Sequence, residues 1–163
     1  MDLARVKQVG ISAAYKGAEI LQSYFGNITR INKKGAIDLV TEADLRSEEK
    51  VVSTILAAFP DHTILAEESG LKEGTPECSG LIDPWDGTTN FAHQVPIFCI
   101  SIALATRDII RTGLVLNPIN GELFSATRGQ GAQRNGKPIQ VSSTSLISDS
   151  LLVTGFPYNL REI

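Results

Sequence analysis

The stretch Gly80-Leu81-Ile82-Asp83-Pro84-Trp85-Asp86-Gly87-Thr88-Thr89-Asn90-Phe91 changes character along its length. Gly80 to Ile82 reads as a buried strand, and Asp83 ends it with a carboxylate at a fixed position. Pro84 forces a bend. Asp86 then brings a second carboxylate back toward the first, with the Trp85 carbonyl between them. Two carboxylates and a carbonyl are hard oxygen donors, suited to Mg²⁺ or Mn²⁺. Two acids held this close do not both ionise readily without a cation. Gly87 permits a close approach or an unusual backbone angle. Thr88 and Thr89 follow as a helix opening, whose free N–H groups accept a phosphate.

Working outward, the pattern after Pro60 is one of short strands. Thr63-Ile64-Leu65-Ala66 and Gly80-Leu81-Ile82-Asp83 are two. Phe98 to Thr106, Ile109 to Leu116 and Glu122 to Thr127 follow, with turns at Pro118-Ile119-Asn120-Gly121 and Asn135-Gly136. Leu151 to Thr154 reads as a last strand, and 69–80 as a polar loop. Upstream, Leu3, Val6, Gly10, Ala13, Ala14, Gly17, Ile20, Leu21 and Tyr24 form a helical stripe over 2–25. Asp2 caps its start. A second helix is expected over 41–59, with Thr41 and Asp44 spaced as a capping box and Pro60 as its stop. The fold class is therefore α+β: two N-terminal helices packed on a mostly antiparallel sheet, in one domain over 1–163.

The 163 residues are 42% hydrophobic and 20% charged, with net charge −3, as in a soluble globular domain. That charge excludes general attraction to nucleic acid. No apolar run approaches the roughly 18 residues of a membrane span. Cys78 and Cys99 form no metal knuckle or disulfide framework, which fits a reducing, cytoplasmic setting. Cys99, within Ile97-Phe98-Cys99-Ile100, reads as a buried small hydrophobe.

Two more acidic segments join the first: Asp38-Leu39-Val40-Thr41-Glu42-Ala43-Asp44, and Glu67-Glu68-Ser69 directly after a strand. Taken singly each is ordinary. Asp86-Gly87 is a turn, Glu67-Glu68 a solvated face, and Asp83 a cap. Jointly they place acids at several strand ends, the pattern of a two-metal phosphoryl-transfer site. His62 and His93 each stand alone and read as structural, though His93 follows the phosphate loop closely.

Asp83-Pro84-Trp85-Asp86-Gly87-Thr88-Thr89-Asn90-Phe91 resembles the signature of the inositol monophosphatases, within the lithium-sensitive, magnesium-dependent phosphatase superfamily. Asp38-Leu39-Val40-Thr41 with Asp44, and Glu67-Glu68-Ser69, match its upstream motifs in order and spacing. Gly129-Gln130-Gly131-Ala132 and Asn135-Gly136 are also similar, so the resemblance covers essentially the whole chain. It implies that the chain is the N-terminal part of an α/β/α/β/α sandwich. It implies metal ligation by Glu67, Asp83, the Trp85 carbonyl and Asp86, with Glu67 and Thr88 acting on the nucleophilic water. Asp86, Gly87 and Thr88 are then the phosphate-binding positions. Asp38, Thr41 and Asp44 stand behind the metals, and Lys33 on a loop near the site. The implied cofactor is Mg²⁺ and the implied substrate a small phosphorylated sugar alcohol such as inositol monophosphate. Metal ions polarise the phosphate and lower the pKa of a bound water, which attacks phosphorus in line. Relatives are commonly homodimers.

The family continues for about another hundred residues, near the size of a small domain. That part carries a further Trp-Asp motif that completes the second metal site. Here the only tryptophan is Trp85, already in the strand-end motif. The chain is therefore expected to be a fragment lacking a C-terminal domain, with a truncated product of low activity as the other reading. Three functional readings stay open: an inositol-phosphate phosphatase; a relative acting on fructose 1,6-bisphosphate or another phosphate ester; and a non-catalytic metal-binding fragment.

Overall fold

A stripe of small side chains lets the first helix lie close to its neighbours. In a computed structural model that describes residues 2–26, 31–34, 38–107 and 109–154, and only the backbone of 31–34, 38–41, 76–79 and 84–85, helix α1 runs over Leu3–Tyr24. Asp2 caps it, its Oδ1 accepting from the N–H groups of Ala4 and Arg5 at 3.0 and 3.1 Å. Ala13, Ala14 and Leu21 are fully buried. A methyl group added at Gly17 would sit 2.7 Å from the Val51 side chain and 2.9 Å from Ser47 Oγ. That is the contact with helix α2, Glu42–Ala58.

The strands are β1 Ile31–Lys34, β2 Asp38–Thr41, β3 His62–Ala66, β4 Gly70–Lys72, β5 Thr75–Asp86, β6 Cys99–Thr106, β7 Ile109–Asn117, β8 Glu122–Thr127, β9 Gly131–Arg134 and β10 Lys137–Ile139. A short helix α3, Thr88–Ala92, joins β5 to β6. β1 and β2 form an antiparallel pair by themselves. The other eight strands form one sheet in the order β10-β9-β8-β7-β6-β5-β3-β4. Every neighbouring pair is antiparallel except β3 and β5, which run parallel. Asn135 and Gly136, at φ 50° and 77°, make the β9–β10 turn that their dipeptide forecast.

Helices α1 and α2 cover one face of this sheet. Leu21, Val51, Ile64, Ile100 and Leu116 are fully buried between the layers, each contributing about 1.5–3 kcal/mol of transfer free energy. The other face carries Leu65, Val115 and Phe124, which remain substantially exposed. It forms a shallow concavity of about 750 Å³ lined in part by Ser101, Ala103, Val115, Phe124 and Ala126. No described helix is long and apolar enough to cross a membrane.

Two expectations need correction. The segment 69–80 is not a loop, because Gly70–Lys72 pairs with β3 and β5 starts at Thr75. Backbone pairing at a sheet edge holds β4, and Leu71 stays exposed, so no burial pattern marked it. Conversely, Leu151 to Thr154 is not a strand. Leu151 and Val153 are almost wholly exposed. No strand among the described residues pairs with this segment, and apolar β-formers need a ladder to join.

Candidate active site

Strand parity decides where the acids point. Along β5, Gly80 and Ile82 are buried beneath the helices, so Leu81 and Asp83 alternate onto the other face. Asp83 pairs with Ser101 of β6, after which the register slips and Asp86 pairs with Cys99. Three steps along β5 thus match two along β6, which is a β-bulge at Pro84-Trp85. An unbulged strand would put Asp86 on the opposite face from Asp83, because side chains repeat every second residue. The extra residue returns Asp86 to the face of Asp83.

Cys99 registers both acids. Its Sγ donates toward Asp86 Oδ2 at 4.0 Å. Burial pushes the thiol up to about 11, and the negative charges of Asp86 and then Asp83 push the same way. Cys99 is therefore not the fully buried hydrophobe its neighbours suggested; it is half-buried beside a carboxylate.

Glu67 arrives from the parallel neighbour. β3 and β5 are in register at Ala66 and Ile82, and the Glu67 N–H donates to the Ile82 carbonyl at 3.2 Å. Glu67 is thus the exposed residue that directly follows the end of β3, one step past the Ala66–Ile82 pair. The following peptides are held by a residue that sequence reading passed over. Glu48 of α2 is 3% exposed; its Oε2 accepts from Glu68 N and its Oε1 from Ser69 N, each at 2.8 Å. The signal was available: Asp44, Ser47 and Glu48 share the inward stripe of α2 with Val51 and Ile55, and acids on a core-facing stripe are unusual.

Beyond Asp86, Gly87 takes φ 102° and ψ 29° and starts α3. An added Cβ there would lie 3.0 Å from both Ile97 O and Phe98 Cβ. Only glycine suits that conformation and that gap. Thr88, the first residue of α3, is partly exposed. The rest of the motif is structural. Phe91 is fully buried and packs edge-on against Phe25 and Phe98 at 5.3 and 4.8 Å. Asn90 donates through Nδ2 to Ile97 O at 2.7 Å, tying down the segment that α3 abuts.

Among the residues expected behind the site, Asp44 is buried, 2% exposed, in the first turn of α2. Asp38 and Thr41 lie on β2, which packs against α3, and Lys33 pairs with Leu39 across β1–β2. The side chains of Lys33, Asp38, Thr41 and Trp85 lie outside what the structure describes. His62 stacks on Phe59 at 4.7 Å, and His93 is an exposed residue closing α3. Neither approaches a nucleophile's role.

Among the described residues, no three His, Cys, Asp or Glu side chains form a ready-made cage for an ion. The hard oxygen donors that strand pairing places on the open face are the two carboxylates of Asp83 and Asp86, while Glu67 follows the end of the neighbouring strand. Their chemistry suits a hard, oxygen-seeking cation.

The pattern of the inositol monophosphatase family matches residues 2–162. Over 146 residues the chain is 51% identical to an inositol-1-monophosphatase of Synechocystis sp., a match covering 88% of this chain and 50% of that protein. It is 37% identical over 157 residues to the Nus factor SuhB of Escherichia coli, covering 94% of this chain and 59% of that one. The solved inositol monophosphatase from Anabaena superposes with a TM-score of 0.87 at 42% identity, over 100% of this chain and 60% of the other. The chain spans about half the length of the curated relatives it matches.

Proposed function

We propose that this chain, which belongs to the inositol monophosphatase family, supplies the acidic half of a magnesium-dependent phosphomonoesterase site acting on inositol monophosphate or a similar sugar-alcohol phosphate. The observation that carries the reading is the β5 bulge, which turns Asp86 onto the face of Asp83. A strand has no packing reason to put two acids on one face, since like charges so placed repel.

In this reading Glu67, Asp83, Asp86 and the Trp85 carbonyl would hold Mg²⁺, which would supply positive charge against the phosphate oxygens and the leaving group. The chain's own residues do the rest. The amides of Gly87 and Thr88, at the start of α3, would donate to the phosphate oxygens and orient the ester. The Glu67 carboxylate accepts a proton from the attacking water while the Thr88 hydroxyl holds that water in line; as its oxygen bonds to phosphorus the ester P–O bond breaks, and the sugar-alcohol oxygen leaves, taking a proton from solvent. Asp38, Thr41 and Asp44 support the site from β2 and α2.

The test is phosphate release from myo-inositol 1-phosphate by the protein in its natural full length, with and without Mg²⁺. Magnesium-dependent release is expected, abolished by Asp86→Asn. No release at millimolar Mg²⁺, or activity that survives Asp86→Asn, would remove the reading.

A further inference from the structure

We infer that Glu48 is a positioning residue of this site: from α2 it fixes the course of the chain leaving β3 and thereby the placement of the Glu67 carboxylate. The inference deepens the reading above and rests on Glu67 being a metal ligand.

The two peptide units around Glu67 are tied to different elements. The Glu67 N–H is held by the Ile82 carbonyl of β5 at 3.2 Å. The next two N–H groups, of Glu68 and Ser69, go to the two oxygens of Glu48 at 2.8 Å each. One oxygen per amide fixes direction as well as distance, and bonds to a carboxylate are stronger than those between neutral groups. Glu67 therefore sits at a point clamped between the sheet and the helix layer. Helix propensity does not call for an acid at position 48, and a core-facing stripe favours an apolar residue. Charge pairing does not explain it either, since both its oxygens are engaged by backbone amides rather than by a cation. Groups that orient a metal ligand typically carry about 10–100-fold in metal affinity or activity.

Glu48→Gln keeps the side chain's shape and one acceptor but turns an NH₂ toward a backbone N–H. In the natural full-length protein, Mn²⁺ binding followed by electron paramagnetic resonance should weaken by about 10–100-fold. The Mg²⁺ concentration for half-maximal activation should move by the same factor, while kcat at saturating metal falls far less. A merely structural role would lower the melting temperature and leave the metal dependence of the folded protein unmoved. Glu49→Gln, at the exposed neighbouring position, should change nothing. Glu48→Asp keeps both acceptors on a shorter stem and should recover part of the affinity; it decides the matter if the glutamine variant does not fold. A folded Glu48→Gln protein that binds Mn²⁺ within about twofold of the parent would overturn the inference, as would a Glu48→Asp protein that does so where the glutamine variant does not fold. A parent protein that binds no Mn²⁺ would instead overturn the metal site itself.

Discussion

Replacing Gly87 by alanine separates two costs that glycine avoids there. The first is conformational. At φ 102° an L-residue is strained by about 1–2 kcal/mol or more. The second is steric, because the new methyl would lie 3.0 Å from Ile97 O and from Phe98 Cβ. Phe98 is 3% exposed and packed on Phe25 and Phe91, so it has no room to yield. Overpacking of that kind costs about 1–3 kcal/mol. Gly121 provides the control: its φ is also positive, at 70°, but nothing lies within 4 Å of an added Cβ. Gly121→Ala should therefore lose about 1–2 kcal/mol, and Gly87→Ala about 2–5 kcal/mol in total. For a chain of this size each kcal/mol lowers Tm by about 2–4 °C. Differential scanning calorimetry of the two variants reads the difference directly. Equal Tm values would refute the steric half of the reasoning. A Gly87→Ala protein that is both unshifted in Tm and fully active would refute the whole.

Phe91→Ala should destabilise by about 3–5 kcal/mol, since it empties a fully buried aromatic cluster; urea unfolding measures it. Saturating Mg²⁺ should raise Tm by relieving repulsion among Glu67, Asp83 and Asp86, with about 2.7 kcal/mol gained at a hundredfold excess over Kd; an unchanged melting curve contradicts a metal site. Cys99 holds its proton up to about 11 in the fold and only to its ordinary value of 9.0 when unfolded. Its contribution to stability is therefore present below pH 9 and lost as pH rises toward 11, and Cys99→Ser should flatten that part of the alkaline curve. His62 titrates below its usual 6.5, because burial outweighs the opposing pull of Asp61. Its contribution is thus present above pH 6.5 and lost on acidification, so His62→Gln should reduce the acid sensitivity of Tm.

The helices and central strands were legible because their signals are local. The small-residue stripe of α1 and the alternation in β6 and β8 need no distant partner to be read. β4 was hidden because backbone pairing with β3 makes it, and Leu151 to Thr154 misled because apolar composition does not supply a partner. The acids were legible as a motif, but the common face of Asp83 and Asp86 was not. It depends on the slip in register between them, which is a property of strand pairing. Glu48 was overlooked because its partners are two amides about a helix away in sequence, with no side-chain pattern of their own.

The bulge between Asp83 and Asp86 makes the common direction of two carboxylates a matter of how β5 lies against β6. With three steps between the aspartates, the shared face lasts only while the extra residue stays bulged out; if the strand straightened without losing a residue, Asp86 would turn toward the helix-covered side, where Phe98 and Ile100 are buried. A deletion of the bulged residue would keep the two carboxylates on one side but draw them closer along the strand, so what the extra residue sets is their spacing and angle.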